Sequence, residues 1–539
     1  MLTSNRNPTK PASDGARLEG LAPFAANRVH AAMQALRAKQ APAAERDLRT
    51  ALAQAPTHPE VQRLLAIALR MQDKNAEALA LLRQAAANWP DDVMIQNGLG
   101  TALDASGDRV AAIAAFRRAC QLAPDAAVLW INLGKTLGDY GQYDEAIPVL
   151  EHALQIAPHA ASEIRLSHAL RAVGRIDESV GRLRAMLARD PADSEAWLAL
   201  AGLKTRRLET DDIAGIEQVL EKPDLKPGER ISLQFALAKA FDDHGRYAEA
   251  FAAYVDANAA TRKIHAWDAK LFSAFVDDVL RMFVRPVSGA TGNQGEEVIF
   301  IVSLPRSGSS LTEQILASHS QVVGAGELDA TAVAIESESA RRRQPFPQWV
   351  SAATADDWQR IGRHYLELTT RWRKPGQRFT DKLPGNWLRV GAIFAMLPGA
   401  RVIDCQRDPV ESCFSCFRTL FSQGNQPFSY DLADIAAHWR DYDRASHHWQ
   451  AIYPTTYRVQ RYEALVADPE TQTRELLDFC GLDFDPACLR FWEAQRSVRT
   501  ASAAQVREPI RKDTARADKY GALLDPLRKE LGLAPFAAK

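Results

Sequence analysis

The chain has 539 residues, 46% of them apolar and 25% charged, which are globular proportions in a chain long enough for two or three domains. Its formal net charge of −1 gives bulk electrostatics no pull toward nucleic acid or an anionic membrane, and no apolar run reaches the roughly 18–20 residues that a membrane span needs. Six cysteines are too few for a disulfide framework in a chain of this length, so the cytoplasm is the expected compartment. Residues 1–24 open polar and rich in Pro and Ser, without the apolar core of a signal peptide, and are expected to form a disordered tail.

Residues 25–285 repeat. Prolines recur at Pro56, Pro90, Pro124, Pro158 and Pro191, and small residues recur in step at Ala32, Ala66, Gly100, Gly134, Ser167 and Ala201. A second small series runs Ala44, Ala78, Ala112, Ala146 and Ser179, with Leu99, Leu133, Phe116 and Tyr143 as the bulky fillers around it. Small side chains in two offset series let paired helices approach closely. A helix-turn-helix period of about 34 residues with this pattern resembles the tetratricopeptide repeat. The pattern breaks over 207–230 and returns from Phe235 to Phe251. An all-α solenoid follows, with Trp89, Trp130 and Trp197 expected in its core and a concave face suited to a peptide or protein segment. A spacer or homodimerisation arm is the alternative use of such an array. A helical stretch from Trp267 to Val284 precedes a Gly- and Ser-bearing linker over 286–296.

Residues 297–535 alternate strand-like and helix-like runs. The strands are expected at Val298–Val302, Gln321–Val323, Arg378–Thr380, Arg401–Cys405 and Tyr457–Gln460. The helices are expected at Ser309–Ala317, Trp358–Trp372, Trp387–Met396, Pro409–Phe421, Leu432–Ile452 and Pro469–Cys480. This order implies an α/β domain with a parallel sheet, whose ligands bind beyond the carboxyl ends of the strands.

The most informative segment is Leu304-Pro305-Arg306-Ser307-Gly308-Ser309-Ser310-Leu311-Thr312. A strand, a small-residue turn and a helix start make a phosphate cradle, from backbone N–H groups and the helix dipole. Nucleotide hydrolases of this P-loop type end the cradle Gly-Lys-Ser/Thr. Here Ser309 stands where the lysine belongs and Arg306 supplies the charge, which favours a phosphate-bearing donor other than Mg-ATP. A second anion loop follows the fourth strand: Arg407 leaves the strand, Pro409 can open a helix, and Ser415 lies about two turns on, so that Arg407 and Ser415 can grip one further phosphate.

Together, Pro-Arg-Ser-Gly-Ser-Ser and the later Arg-x7-Ser resemble the sulfotransferases that use 3′-phosphoadenosine 5′-phosphosulfate. The likeness is greatest to the protein-tyrosine branch and, with the repeats, to the bacterial tetratricopeptide-repeat sulfotransferases. The resemblance implies that Arg306, Ser307, Gly308, Ser309 and Ser310 hold the 5′-phosphosulfate and that Arg407 and Ser415 hold the 3′-phosphate. It places Tyr462 against the adenosine and makes Arg516 or Lys519 a candidate closure over the 3′-phosphate. By the same resemblance Glu327, in Gly324-Ala325-Gly326-Glu327-Leu328, is the catalytic base, Lys382 meets the bridging oxygen, Arg306 meets the sulfuryl group, and Ser502 assists the leaving group. A helix N-terminal carboxylate is the plainer role for Glu327.

The resemblance implies sulfuryl transfer to an acceptor hydroxyl, with a peptidyl tyrosine as the leading acceptor and no metal. Arginines that recognise acidic peptides in the animal tyrosine enzymes are replaced here by Asp329 and Val333, while Arg341-Arg342-Arg343 offer another cationic patch for an acidic acceptor. Asp404 at a strand end, Cys413-x-x-Cys416 and the adjacent His447-His448 are read as structural rather than metal-binding. An inactive sulfotransferase fold serving the array as a scaffold, and a P-loop kinase, are the two competing readings.

Overall fold

The computed structural model describes residues 16–537 apart from 204–205, 422–423, 495, 497, 499–502 and 512–514. The chain divides into two compact units, Met1–Val173 and Gly174–Lys539. In the first, the described residues form consecutive helices from Pro23–Arg37 to Ala160–Val173. The recurring small residues lie where these helices touch: Ala32, Ala44, Ala78, Ala112 and Ala146 have no exposed surface. A methyl group on Gly100 would lie 2.8 Å from the Phe116 ring, and one on Gly134 would lie 2.7 Å from Leu150. Each repeat therefore fixes its helix spacing by a small residue facing a bulky one.

Of the three tryptophans expected in the core, Trp197 is there, but Trp89 is 43% exposed and Trp130 is half-buried. The indole N–H groups of Trp89 and Trp130 donate to the Thr57 and Pro124 carbonyls at 2.8 and 2.7 Å, and that of the buried Trp197 donates to the Pro191 carbonyl at 2.9 Å.

The second unit opens with the helices Ile176–Arg189, Ser194–Ala201, Thr210–Leu220, Pro227–Asp243, Tyr247–Ile264 and Ala269–Met282. The stretch 207–230, out of step with the repeat, still holds a helix, because Glu209 and Asp212 form a capping box at its start. The following stretch 286–296 is packed rather than free: Ala290 donates its N–H to the Ala395 carbonyl at 2.7 Å, and a methyl group on Gly295 would meet Leu397 at 2.7 Å.

Five strands then form one sheet in the order β2-β3-β1-β4-β5: β1 (Val298–Ser303), β2 (Val322–Gly324), β3 (Arg378–Lys382), β4 (Arg401–Gln406) and β5 (Tyr457–Arg461). Every pairing is parallel. All six residues of the central β1 are buried, as expected of a strand covered by helices on both faces. All five expected strands form, with ends within two residues. The helices differ more: Pro409–Phe417 stops four residues early, Trp387 lies in a 3-10 turn, and an additional helix, Ala330–Arg342, follows β2.

The close approach of repeat helices makes a direct prediction. Gly134→Val should destabilise the first unit by about 1–3 kcal/mol through overpacking against Leu150, whereas Gly138→Ala, which meets nothing within 4 Å, should not. Denaturant midpoints of the two variants check this.

Candidate active site

The parallel strands open five loops on one edge of the sheet, and the residues singled out by sequence follow β1, β2, β3, β4 and β5 in turn. After β1 the backbone turns through two left-handed residues, Arg306 at φ 73° and Gly308 at φ 93°. Such a conformation costs an arginine about 1–3 kcal/mol and concentrates at functional sites. A methyl group on Gly308 would lie 2.7 Å from the Tyr462 ring, so the turn after β1 and the helix after β5 touch through a glycine. The helix Ser309–Leu316 starts here with Ser309 and Ser310 in its first turn.

The loops after β1 and β4, expected to bind anions, meet directly. Arg306 Nε donates to Ser415 Oγ at 3.1 Å, and the Ser307 and Ser412 hydroxyls lie 3.2 Å apart. Burial lowers the Arg306 pKa to about 10, and the nearby Arg407 and Arg418 push the same way. The guanidinium remains charged at neutral pH in a setting that an anion would relieve. Cys416 Sγ donates to the Pro305 carbonyl at 3.3 Å. Both Cys413 and Cys416 are buried, and burial pushes the Cys413 thiol up, so this pair packs the loop.

On the other side of β1, Lys382 ends β3. Its backbone N–H donates to the Gly326 carbonyl at 2.9 Å, and its ammonium donates to Glu327 Oε1 at 2.6 Å. Lys382 is 1% exposed and Glu327 40%, so a buried cation presents a carboxylate to solvent. Glu327 is not the cap of the helix Ala330–Arg342; the N-cap position there is Asp329.

Sequence reasoning missed the residue that fixes this loop. Glu313, 1% exposed, accepts from the Gly326 N–H at 2.8 Å, from Thr380 Oγ1 at 2.9 Å and from Arg496 Nη2 at 2.9 Å. Burial opposes its charge, but Arg496, Lys382 and these hydrogen bonds hold its pKa below the usual carboxylate value. The visible signal was a carboxylate on a helix whose neighbours Leu311, Ile315 and Leu316 are apolar. A buried carboxylate needs partners, and here they are the Glu327 loop and β3.

After β4, Arg407 donates to Glu411 Oε2 at 3.1 Å and lies over the Tyr462 ring at 4.7 Å. Glu411 Oε1 also accepts from the backbone N–H groups of Arg516 and Ala517 at 2.7 and 2.6 Å. Arg516 is thus at the second loop, while Lys519 is exposed. Asp404 accepts from the Tyr442 and Ser446 hydroxyls and from the Gln406 amide, so its oxygens serve the buried sheet. Ser502 lies outside the described residues. Arg341 and Arg342 both pair with Glu338 and Asp357, so these two guanidiniums are engaged within the chain rather than open to an acidic acceptor. His447 and His448 face different backbone carbonyls, those of Asp443 and Phe283. Among the described residues, no group of three or more His, Cys, Asp or Glu side chains is placed to hold a metal, and no helix is long and apolar enough to cross a membrane.

The carboxy-terminal residues thus form an α/β domain with a parallel sheet, in which a strand–turn–helix loop lies near a carboxylate paired with a buried lysine. Residues 298–486 match the sequence model described as the sulfotransferase family. Residues 30–93, 72–127, 103–161 and 137–203 match tetratricopeptide-repeat models. The carboxy-terminal domain thus belongs to the sulfotransferase family, and the amino-terminal array is built of tetratricopeptide repeats.

An uncharacterized protein of Aquifex aeolicus (strain VF5) is 28% identical over 375 residues, 67% of this chain and 49% of that protein. The chain spans about half the length of the curated relative it matches. Solved structures resemble the repeats. MamA is 20% identical over 31% of this chain and 92% of its own, with a TM-score of 0.29. A tetratricopeptide repeat protein of Parabacteroides merdae ATCC 43184 is 15% identical over 44% and 93%, at 0.35. YrrB, described as having an unusual peptide-binding site, is 17% identical over 38% and 96%, at 0.28.

Asp381, beside Lys382, yields a pH prediction. It is fully buried, and Tyr365 donates to its Oδ2 at 2.9 Å; burial pushes its pKa up to about 8. The folded protein then keeps a proton that the unfolded chain releases near pH 4, so stability falls as pH rises from about 4 to about 8 and levels off above. Asp381→Asn should flatten that slope and raise the melting temperature at pH 8 relative to wild type. Melting curves across this pH range check it.

Proposed function

We propose that the protein transfers the sulfuryl group of 3′-phosphoadenosine 5′-phosphosulfate to an acceptor hydroxyl, with a peptidyl tyrosine as the acceptor. The observation that carries this reading is the pair of linked contacts on one sheet edge. Arg306 bonded to Ser415 joins two anion loops, and Lys382 bonded to Glu327 supplies a cation and a base beside them. The residues fit the donor on an independent ground. The turn after β1 is left-handed at Arg306 and Gly308 and approaches the Tyr462 ring through Gly308, and Arg306 carries a charge that burial disfavours.

In this reading the first loop, from Arg306 to Ser310, binds the 5′-phosphosulfate, and Arg407 and Ser415 bind the 3′-phosphate, with Tyr462 beside the adenosine. Glu327 takes the proton of the acceptor hydroxyl as its oxygen bonds to sulfur. The bond from sulfur to the bridging phosphate oxygen breaks, and the electron pair stays on that oxygen in adenosine 3′,5′-bisphosphate. Lys382 and Arg306 stabilise the charge developing there, with Ser502 as a further donor. Leaving Glu327 for this oxygen would also free the Glu327 carboxylate to act as the base. The repeat array would hold the peptide or protein that carries the acceptor. A scaffold with an inactive domain remains compatible with the repeats, and the transfer assay separates it from an enzyme. A P-loop kinase is disfavoured by Ser309 in the lysine position and by the engaged oxygens of Asp404.

Glu327→Gln should retain donor affinity and lose about 10²–10⁴-fold in turnover, measured as labelled-sulfate transfer to tyrosyl peptides or a cell lysate. Unchanged turnover would remove Glu327 as the base. Arg407→Ala should weaken 3′-phosphoadenosine 5′-phosphosulfate far more than adenosine 5′-phosphosulfate. Equal losses for the two ligands would remove Arg407 from the 3′-phosphate.

A further inference from the structure

Asp242 lies far from the sulfotransferase segment in sequence, at the end of the helix Pro227–Asp243. Its side chain is 1% exposed, a position in which a carboxylate survives only with strong partners. Three partners meet it, and all belong to segments beside the donor loops. Arg418 Nη1 donates to Oδ2 at 3.0 Å, the Tyr520 hydroxyl donates to Oδ1 at 2.8 Å, and Arg516 Nη1 lies 3.8 Å from Oδ2. Lys239, on the same helix, pairs with the neighbouring Asp243 instead.

Each partner leads back to the second anion loop. Arg418 follows Ser415 by less than one helical turn and lies over the Phe414 ring at 5.1 Å. The Tyr520 ring packs on the same Phe414 at 4.4 Å. Arg516 and Ala517 hang by their backbone N–H groups from Glu411, whose other oxygen holds Arg407. The segment from Arg516 to Tyr520 is thus fastened at one end to Glu411 and at the other to Asp242. Both attachments use a carboxylate, and both are linked to the side chains flanking Ser415 and Arg407.

We propose that Asp242 is a positioning residue for the donor's 3′-phosphate. It sets the Arg418 guanidinium and the Arg516–Tyr520 segment against the Arg407–Ser415 loop and so makes the helical hairpin Pro227–Ile264 part of donor recognition. The inference rests on the assignment of the 3′-phosphate to Arg407 and Ser415. A carboxylate that serves packing alone would support every nucleotide equally, whereas this one distinguishes nucleotides by their 3′-phosphate.

Calorimetry with adenosine 3′,5′-bisphosphate and with adenosine 5′-monophosphate, which differ only in that phosphate, tests it on the full chain. Asp242→Ala should weaken the bisphosphate about tenfold and the monophosphate less than about twofold. Tyr520→Phe removes one hydroxyl, keeps the ring, and should give a selective loss of about threefold; it stands in if Asp242→Ala does not fold. Arg407→Ala is measured alongside. If Arg407→Ala is selective while the Asp242 and Tyr520 variants lose both ligands equally, or neither, Asp242 is structural and the inference is overturned. If Arg407→Ala is itself unselective, the donor assignment falls first and the inference with it.

Discussion

Parallel pairing of all five strands is the constraint on which the site depends. Because every strand runs the same way, each loop that follows one opens on the same edge of the sheet. Residues remote in sequence, Arg306, Glu327, Lys382, Arg407 and Tyr462, therefore come to one side without any of them being near another in the chain. The central strand has no exposed residue, so the edge is held by a core that has no polar side chain from Val298 to Val302 to satisfy. In this arrangement, side chains on different loops can act together while each loop keeps its own local structure.

Most of the charges at this edge are paired. Several buried or half-buried cations are held by carboxylates: Lys382 by Glu327, Arg407 by Glu411, Arg418 by Asp242, and Arg496 by Glu313. Removing one member of such a pair leaves the other unpaired in a poorly solvated place, which costs more than the pair contributes. Arg306 Nε donates to the neutral Ser415 hydroxyl, and burial depresses the Arg306 pKa.

Much of this was legible in the sequence for local reasons. Five short apolar runs bounded by turn residues identified the strands, since a strand's pattern is contained in the strand. Arg306 and Gly308 stood out because a turn between strand and helix constrains residue type. The 34-residue recurrence of small residues identified the repeats because it repeats a contact, Gly100 with Phe116 or Gly134 with Leu150. What was not legible depends on tertiary contact. Glu313 looks like an ordinary polar residue on a helix until Gly326, Thr380 and Arg496 surround it. Asp242 has no local period that links it to Arg418 or Tyr520. Trp89 was expected inside because tryptophan is usually buried, but it is 43% exposed, with its indole N–H on the Thr57 carbonyl. The helix Ala330–Arg342 was expected only as a short start after Glu327, and its burial comes from packing on Ala355–Leu368.

The central claim is that two linked anion loops on one sheet edge grip opposite ends of a nucleotide phosphorylated at both its 3′ and 5′ positions. A competition titration of the wild-type chain, adenosine 3′,5′-bisphosphate against ATP with magnesium, tests it most directly. The account predicts that the bisphosphate binds and that excess Mg-ATP fails to displace it. Binding of Mg-ATP together with indifference to the bisphosphate would contradict it.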